Sequence, residues 1–295
     1  MPHPQIDHRP QRNSYIGGEL GDWIIEEERL RRFESLLKTR HIGKPPKSAN
    51  EYWQEIDSTN TRMAKLARDG ACHGTVVMAD CQSRGRGRLG RTWVSPPGSG
   101  LYLSILLRPA RPLAELPVVT LSLGVAAARA VFAVCGVEPG LKWVNDLILD
   151  GRKTGGILAE MPVTGGSPAL VAGIGLNVNL DAADIPEELE EKVTSLSQHC
   201  TTSIDTIELA VELCYQIEEI FEKVEKGMDA EILDEWKSLS VTLGKEIVCL
   251  SGNNTIEGTA YDLSPAGALI VRTESGTREL HAGEISIRNK DGSYC

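Results

Sequence analysis

The sequence lacks the cysteine patterns that mark disulfide frameworks and structural zinc sites. Its seven cysteines are odd in number, are scattered along the chain and never occur in Cys-x-x-Cys spacing. Structural zinc sites and small disulfide-stapled folds need paired or closely spaced cysteines. The cysteine usage therefore indicates reduced thiols in a cytosolic protein.

The sequence also lacks a surplus of positive charge and an evident membrane segment. Its formal net charge is −10, whereas proteins that bind nucleic acid through bulk electrostatics are basic. We find no apolar run approaching the roughly 20 residues that span a bilayer, and the polar first residues do not resemble a signal peptide. These absences predict a soluble protein that uses neither a membrane nor an overall positive field.

Helical and strand patterns alternate along the chain and predict an α+β fold. With 295 residues, the chain has room for one large and one small domain. Asp22 is the expected N-cap of the first helix, and Ser58 or Thr59 that of the second. Helices are predicted over 22–38, 60–68, 121–134, 209–224 and 230–239, and strands over 75–79, 101–107, 141–149, 155–161 and 170–179.

The C-terminal part of the chain has a different texture. Short strands at 246–250, 256–262, 268–273 and 284–288 alternate with turns rich in Ser, Gly, Asn and Pro. This pattern is typical of a compact all-β module, and we expect a small barrel. The sequence thus divides into a disordered tail over 1–21, a large domain over 22–240 and a small β domain over 241–295.

Residues 83–93 have the most unusual composition, with four arginines and three glycines. Glycine lets the backbone approach a ligand closely, and guanidinium presents donors that fit carboxylate and phosphate. Because no apolar periodicity ties this segment to a core, we predict a mobile cationic loop that closes on an anion.

The glycines of this loop formally match the dinucleotide-binding fingerprint. That fingerprint needs a helix to begin inside the glycine run, but Thr-Trp-Val-Ser-Pro-Pro-Gly follows here. The expected acidic residue is also missing, since no Asp or Glu occurs between Arg91 and Ala114. A Walker A loop is excluded because no Gly-Lys-Ser/Thr ends the run. The loop is therefore expected to hold anions by side-chain charge.

A second polar cluster interrupts an apolar strand. It contains Lys142, Asn145 and Asp146, and Lys153 and Gly156 follow shortly after. A buried charge must be paired or must meet a ligand, so Lys142 and Asp146 form either a structural ion pair or part of a binding site. Asn145 and Asp146 also offer the oxygen ligands that Mg²⁺ prefers.

These clusters resemble, in order, the motifs of the biotin protein ligases. The resemblance is close from Tyr52 to about Asn179 and looser through the final β module. Val144 stands where the family commonly has proline, and Ser83 where Thr or Ala is usual, but neither removes a needed chemical group. The motifs are Asp-Ser-Thr-Asn at 57–60, Gln82, Gly-Arg-Gly-Arg-x-Gly-Arg at 85–91 with Trp93, Lys-Trp-x-Asn-Asp at 142–146, Arg-Lys-x-x-Gly at 152–156 and Gly-x-Gly-x-Asn at 173–177.

The resemblance implies a central mixed sheet flanked by helices, of the class II synthetase-like type, followed by an SH3-like barrel. It implies that ATP and Mg²⁺ activate biotin as biotinyl-5′-AMP, which then biotinylates a lysine of a biotin carboxyl carrier protein. It admits a homodimer formed through sheet edges. The roughly 50 residues before the motifs are too few for a three-helix DNA-binding module, so we expect a monofunctional cytoplasmic enzyme.

The resemblance also assigns roles to single residues. The catalytic residues would be Lys153, Arg88 and Lys142. The contacts to biotin and its adenylate would be Ser58, Thr59, Asn60, Gln82, Arg86, Gly87, Arg88, Lys153 and Gly156. The ATP contacts would be Arg91, Trp93, Lys142 and Asn177, and the metal ligands Asn145 and Asp146. Trp93 either stacks near adenine or anchors the loop.

Two alternatives stay open. A lipoate ligase or octanoyltransferase resembles this fold and also acylates a carrier lysine. A DNA-binding biotin sensor with residual catalysis is the other alternative. The complete glycine–arginine loop and the C-terminal β module favour biotin ligation.

Overall fold

The computed structural model describes residues 26–47, 49–111, 116–165, 167–251, 254–281, 285–291 and 293–294. Its helices are α1 (Glu27–Leu36), α2 (Thr59–Arg68), α3 (Leu116–Cys135), α4 (Thr206–Glu225) and α5 (Asp229–Ser238). The strands of the first sheet are β1 (Glu51–Ile56), β2 (Val76–Gln82), β3 (Gly100–Leu107), β4 (Gly140–Lys142), β5 (Asp146–Leu149), β6 (Arg152–Glu160) and β7 (Leu170–Asn177). Those of the second are β8 (Glu246–Ser251), β9 (Asn254–Leu263), β10 (Leu269–Thr273), β11 (Gly276–Leu280) and β12 (Ile285–Asn289).

The first sheet is mixed, as the sequence predicts. Its strand order is β1-β2-β3-β7-β6-β5-β4, and β1 runs parallel to β2 whereas the other neighbours are antiparallel. The strands β3 and β7 thereby lie at its centre, so β3 is buried at every position. This arrangement brings the ends of β5, β6 and β7 together at one edge of the sheet.

Helices cover both faces of this sheet. Successive residues of its strands point to opposite faces, and both faces are apolar. On β2, Val76 and Met78 belong to the main core, which contains α3 and α4, whereas Val77 and Ala79 belong to a smaller core. The smaller core contains Met63 of α2, which packs against β2, β3 and β7. The two-residue period of a strand accounts for this division.

The helix α3 corrects the expectation that no apolar run approaches the length of a membrane span. Its window Val118–Cys135 is long and apolar enough to cross a membrane by length and composition, and 72% of it is buried inside the fold. It is the one such helix among the described residues. The alanine-rich segment predicted as a buried helix is thus longer than expected, and it packs on α4, α5 and the sheet.

Three further elements differ from the sequence-based predictions. The predicted strand 141–149 is a hairpin of β4 and β5, because the chain turns at residues 143–145. The edge strands β1 and β11 were not predicted. In β1 the apolar alternation is broken by two consecutive exposed residues, Gln54 and Glu55, and β11 is exposed except at Leu280.

The second sheet is antiparallel with the order β11-β10-β9-β8-β12, which confirms the predicted all-β module. It packs against the turn between β4 and β5. The Trp143 amide donates to Thr242 Oγ1 at 2.9 Å, and its indole donates to the Gly267 carbonyl at 3.1 Å. The C-terminal sheet is therefore held beside the polar turn of the first sheet.

The remaining predictions concern the N-terminal tail and the caps of the first two helices. The predicted disordered tail and the Asp22 cap lie outside the described residues, and α1 is described from Glu27 onward. Ser58 occupies the N-cap position of α2, as predicted, but its side chain makes no capping hydrogen bond. The Thr59 amide donates instead to the Gln82 side-chain oxygen at 2.9 Å.

Candidate active site

The arginine–glycine loop, residues 84–93, folds as a short hairpin between β2 and β3. The Trp93 amide donates to the Gly85 carbonyl at 2.9 Å. At the tip, Leu89 and Gly90 both have left-handed backbone, with φ of 59° and 72°, and this conformation reverses the chain. The next regular element is β3 and not a helix, so the loop presents its charge through side chains, as predicted.

Two arginines of the loop fasten the hairpin to the sheet. Arg86 donates to both carboxylate oxygens of Glu160, at 3.1 and 2.7 Å, and Arg88 Nη1 donates to Asn145 Oδ1 at 3.1 Å. Burial lowers the pKa of the Arg88 guanidinium, and the nearby Asp146 carboxylate acts in the opposite direction. A partly desolvated cation thus lies over the ends of β5 and β6, where an anionic ligand would stabilise it.

Two cavities meet beneath the hairpin, with volumes of about 430 and 50 Å³. The smaller is lined by residues of α2, β2, β6 and β7, among them Ser58, Thr59, Asn60, Gln82, Arg86, Gly156 and Gly173. The larger is lined by Arg91, Lys142, Asp146, Asn177, Arg288 and Tyr294, among others. Five residues line both cavities and form what we call the junction, namely Gly87, Arg88, Trp93, Asn145 and Lys153.

The wall of the smaller cavity is built around the buried Asn60 side chain. Its amide oxygen accepts a hydrogen bond from Ser104 Oγ at 2.6 Å, and its nitrogen donates to the Leu158 carbonyl at 3.1 Å and to Glu160 Oε2 at 3.0 Å. Because the amide is held from both ends, its orientation is fixed. Such a wall suits a ligand with a small planar polar group.

Gln82 sets the position of the other polar residues of this wall. Its amide oxygen accepts from the Thr59 amide at 2.9 Å and from Thr59 Oγ1 at 3.2 Å, and its nitrogen donates to Ser95 Oγ at 3.0 Å. Gln82 therefore caps α2 and also ties that helix to the segment after the loop. In this structure it positions Thr59 beside the cavity.

The junction contains a buried ion pair between Lys153 and Asp146, with 2.5 Å between Nζ and Oδ1. Burial alone would raise the pKa of Asp146, but the Lys153 ammonium, the Tyr294 hydroxyl and the charge of Lys142 together lower it. Lys153 Nζ also lies 5.2 Å from the centre of the Trp93 ring. The carboxylate is thus held ionised, and the ammonium lies where the two cavities join.

Trp93 packs edge-on against the glycine-lined strand β7. A Cβ atom on Gly175 would lie 2.7 Å from Trp93 Cε2, so only glycine permits this contact. The indole nitrogen is buried and makes no hydrogen bond with any described residue. Since a buried donor without a partner costs free energy, this N–H is available to a ligand in either cavity.

The larger cavity has a cationic floor. Lys142, at the end of β4, is 5% exposed, and its ammonium donates to the Tyr294 carbonyl. Asn177, at the end of β7, is also 5% exposed and donates to the Thr194 carbonyl at 3.1 Å. Both polar groups therefore end strands of the first sheet, and β5 and β6 lie between those two strands. The sequence predicts the strand-end position of Asn177, whereas it places Lys142 inside a longer strand.

Two family profiles match this chain over the regions just described. The Biotin/lipoate A/B protein ligase family matches residues 52–179, and the Biotin protein ligase C terminal domain matches residues 242–288. The biotin–[acetyl-CoA-carboxylase] ligase of Mycobacterium tuberculosis is 30% identical over 280 residues, which cover 89% of this chain and 98% of that one. The chain belongs to the biotin protein ligase family.

Two other members of the family extend this comparison. The bifunctional ligase/repressor BirA of Bacillus spizizenii is 33% identical over 237 residues, which cover 80% of this ligase and 73% of that protein. The structure of the Aquifex aeolicus biotin protein ligase in complex with biotin and ATP superposes with a TM-score of 0.71 at 33% identity. The match covers 81% of this ligase and 98% of the Aquifex chain. The predicted fold class is thereby confirmed.

The structure brings every predicted site residue of this ligase to one of the two cavities. The nine predicted contacts of biotin and its adenylate all line the smaller cavity. The predicted ATP contacts and metal ligands all line the larger one. The roles themselves remain predictions, but the partition follows the sequence-based division between the two substrates.

The sequence left open whether Lys142 and Asp146 form a structural ion pair. The structure places them opposite each other in the β4–β5 hairpin, but the carboxylate of Asp146 pairs with Lys153. The sequence did not reveal this partner, because Lys153 reaches Asp146 across the β5–β6 pairing and not along one strand.

The predicted metal ligands are compatible with Mg²⁺ carried in by ATP, but not with a resident metal cage. Among the described residues no group of three or more His, Cys, Asp or Glu side chains forms a metal site. Mg²⁺ in nucleotide enzymes is typically held by one or two carboxylates plus substrate phosphates. Asp146 Oδ2 and the amide oxygen of Asn145 would supply such protein ligands in place of the Tyr294 hydroxyl and the Arg88 guanidinium, while Lys153 stays paired with Asp146 Oδ1.

Four residues of this site were missed by the sequence analysis. Glu160 binds Arg86 and Asn60, Ser104 binds Asn60, and Arg288 and Tyr294 line the larger cavity. Glu160 is the last residue of β6, the strand that carries Lys153 and Gly156. Its place at the end of a strand with two motif residues could have marked it as a site residue. Arg288 and Tyr294 lie in the C-terminal module and carried no motif.

Gly173→Ala should weaken biotin binding about tenfold, because a Cβ atom there would collide with the Asn60 amide oxygen and overpacking of this kind costs about 1–3 kcal/mol. Titration with biotin in a calorimeter measures the effect. Gly165→Ala is the matched control, since a Cβ there meets no heavy atom within 4 Å. Equal biotin affinity of the two variants would show that the Asn60 wall does not contact biotin.

Proposed function

We propose that this ligase activates biotin with ATP and transfers it to a lysine of a biotin carboxyl carrier protein. The observation that carries the proposal is the pair of cavities joined by a cationic junction. Two anionic substrates, a carboxylate and a triphosphate, must meet there end to end. The Aquifex aeolicus relative is described in complex with biotin and ATP, which supports the same substrates here.

Each substrate fits one cavity by its chemistry. The fused rings of biotin enter the smaller cavity, where the Asn60 and Thr59 side chains meet the polar ureido group and glycines of β6 and β7 leave room for the ring. Its carboxylate then points to the junction at Lys153 and Arg88. The nucleotide occupies the larger cavity, with its phosphates toward Lys142.

In the first step an oxygen of the biotin carboxylate attacks the α-phosphorus of ATP. A carboxylate–phosphorus bond forms, the bond to the bridging oxygen breaks, and pyrophosphate leaves with the electron pair. Two anions must approach each other, so catalysis rests on positioning and on charge neutralisation by Arg88 and Lys153. When bound, Mg²⁺ neutralises phosphate charge and orients the leaving group. Asp146 holds Lys153 at the junction through their ion pair.

In the second step the neutral amine of the carrier lysine attacks the carbonyl carbon of biotinyl-5′-AMP. An amide bond forms, the anhydride bond breaks, and AMP leaves while the amine loses a proton. The adenylate must be kept from water until the carrier arrives. The hairpin of residues 84–93 covers the junction and supplies that protection through Arg86 and Arg88.

Partners and location form part of the same proposal. The Mycobacterium tuberculosis and Paracoccus denitrificans relatives are named as ligases for acetyl-CoA carboxylase, which supports a carboxylase carrier domain as partner. Their matches cover 98% and 96% of those proteins. Among the described residues, Cys81, Cys135, Cys200, Cys214 and Cys249 are free thiols, in keeping with the cytoplasm. A homodimer through a sheet edge remains part of the proposal.

The purified protein should exchange labelled pyrophosphate into ATP only when biotin and Mg²⁺ are present, because only reversible adenylation links pyrophosphate to ATP. With a biotin carboxyl carrier domain added, biotin should appear on one lysine of that domain, read by intact mass. Exchange stimulated by lipoate and not by biotin would establish the alternative ligase. Retention of DNA fragments by the protein would favour a sensor.

A further inference from the structure

Tyr294, which follows β12, lies inside the larger cavity and engages three of its charged groups. Its hydroxyl donates to the carboxylate of Asp146. Its ring lies 3.6 Å from Lys142 Nζ and 5.0 Å from the guanidinium carbon of Arg288. One aromatic side chain thus sits between two cations and bonds to an anion.

Hydrogen bonds within the preceding turn hold Tyr294 in place. After β12, Asn289 Nδ2 donates to Ser293 Oγ at 2.9 Å and the Asn289 amide donates to the Ser293 carbonyl at 3.3 Å. The Ser293 amide donates to Asp291 Oδ1 at 2.8 Å. The Lys142 ammonium then binds the Tyr294 carbonyl. The end of the chain is therefore directed into the cavity by several bonds.

The groups that Tyr294 engages are the ones that a nucleotide would need. Lys142 and Arg288 are two of the cations that line this cavity and could bind phosphate oxygens, and Asp146 is a carboxylate in it that could bind a divalent cation. A π face is a weak substitute for an anion beside a cation, and a hydroxyl is a neutral partner for a carboxylate. Phosphate and metal would form stronger bonds at the same atoms, and both sets of bonds cannot exist together.

We propose that Tyr294 is an intramolecular competitor of Mg·ATP that occupies the phosphate and metal positions of the nucleotide cavity until the nucleotide displaces it. This inference rests on the proposed function. The apparent nucleotide affinity is then reduced by the fraction of molecules whose cavity is open. Tyr294 lines only the larger cavity, so biotin binding is independent of it.

The first test measures binding of a non-cleavable ATP analogue with Mg²⁺ by calorimetry, so that no chemistry intervenes. Tyr294→Ala should bind the analogue about tenfold more tightly than the wild type, because it loses the hydrogen bond to Asp146 together with the ring contacts to Lys142 and Arg288. Tyr294→Phe keeps the ring and should lie between the two. The affinity for biotin should be the same in all three proteins.

Tyr261→Ala is the matched control. Tyr261 lies in β9 of the same C-terminal sheet, is 50% exposed and carries the Arg272 guanidinium over its ring at 3.2 Å, but it lines neither cavity. Its loss removes a tyrosine and a cation–π contact without touching the site. The nucleotide affinity of this variant should equal that of the wild type.

The second test follows displacement directly. Hydrogen–deuterium exchange of the Ser293 and Tyr294 amides should be faster when the Mg²⁺ complex of the analogue is present, because displacement breaks the bonds that hold this segment; mass spectrometry measures the rate. Unchanged or weaker nucleotide binding by Tyr294→Ala, or protection of these amides by nucleotide, overturns the proposal. If the wild type still catalyses biotin-dependent pyrophosphate exchange, such a result overturns only the role of Tyr294 and leaves the proposed function standing. If it binds no nucleotide, both proposals fail.

Discussion

Lys153→Ala should lower the rate of biotin-dependent pyrophosphate exchange by about 10²- to 10³-fold, the range seen when one preorganised charge is removed from a transition state. Lys153 lines both cavities, and its ammonium is fixed by the buried Asp146 carboxylate. At this position we expect it to contact the biotin carboxylate and the α-phosphate together. The loss should fall on kcat more than on the KM for biotin, because the charge on the phosphate grows during the reaction.

A loss of activity in Lys153→Ala must be distinguished from a loss of folding, because removing one partner of a buried ion pair destabilises a protein by about 3–5 kcal/mol. Lys153→Arg keeps a cation beside Asp146, so its thermal stability should approach that of the wild type while exchange stays reduced by the altered geometry. Lys223→Ala is the control, since Lys223 pairs with the surface residue Glu231 at 3.6 Å and lines neither cavity. Wild-type exchange by a folded Lys153→Ala protein would remove Lys153 from the mechanism.

Arg88→Ala should release biotinyl-5′-AMP into solution about 10²-fold faster, while adenylation itself continues at a reduced rate. Arg88 belongs to the junction and ties the hairpin to Asn145 at 3.1 Å. Without this bond the loop loses one fastening, and the adenylate loses a desolvated cation beside its phosphate. The intermediate should then biotinylate bystander lysines that the wild-type ligase ignores.

Release is measured by rapid filtration of preformed labelled adenylate, and bystander labelling by blotting with streptavidin. Arg84→Ala is the matched control because it removes the same charge from the same loop, whereas the exposed Arg84 side chain lines neither cavity. Equal retention of the adenylate by both variants would contradict a role of Arg88 in holding it. The Arg86–Glu160 pair would then be the remaining fastening of the hairpin.

The sequence was sufficient for the elements that carry motifs. The helix α2, the strands β6 and β7 and the all-β module appear where apolar periodicity and turn residues place them. The failures occur where local pattern and tertiary position disagree. Residues 141–149 look like one strand because both arms of the β4–β5 hairpin are apolar, and only the turn at 143–145 separates them.

In the site, too, the local sequence pattern did not reveal which residues are in contact. The sequence could name Lys142, Asp146 and Lys153 as chemically important, but not which of the two lysines pairs with the carboxylate. That choice depends on the β5–β6 pairing, which aligns Ile148 with Lys153 and Asp146 with Gly156 and lets the long Lys153 side chain reach back. Strand register is a property of the assembled sheet and not of one strand.

By itself the sequence determined which residues stand out chemically: an arginine–glycine loop without a following helix, a polar cluster that interrupts an apolar strand, and the ordered motifs of the biotin protein ligases. Only the tertiary structure decided that these parts form two cavities with a shared junction, that the loop is fastened by Glu160 and Asn145, and that Tyr294 lies in the larger cavity. The reason is physical. Residue types fix which groups are charged or flexible, whereas contacts between residues 57 to 152 positions apart depend on how the sheets pack.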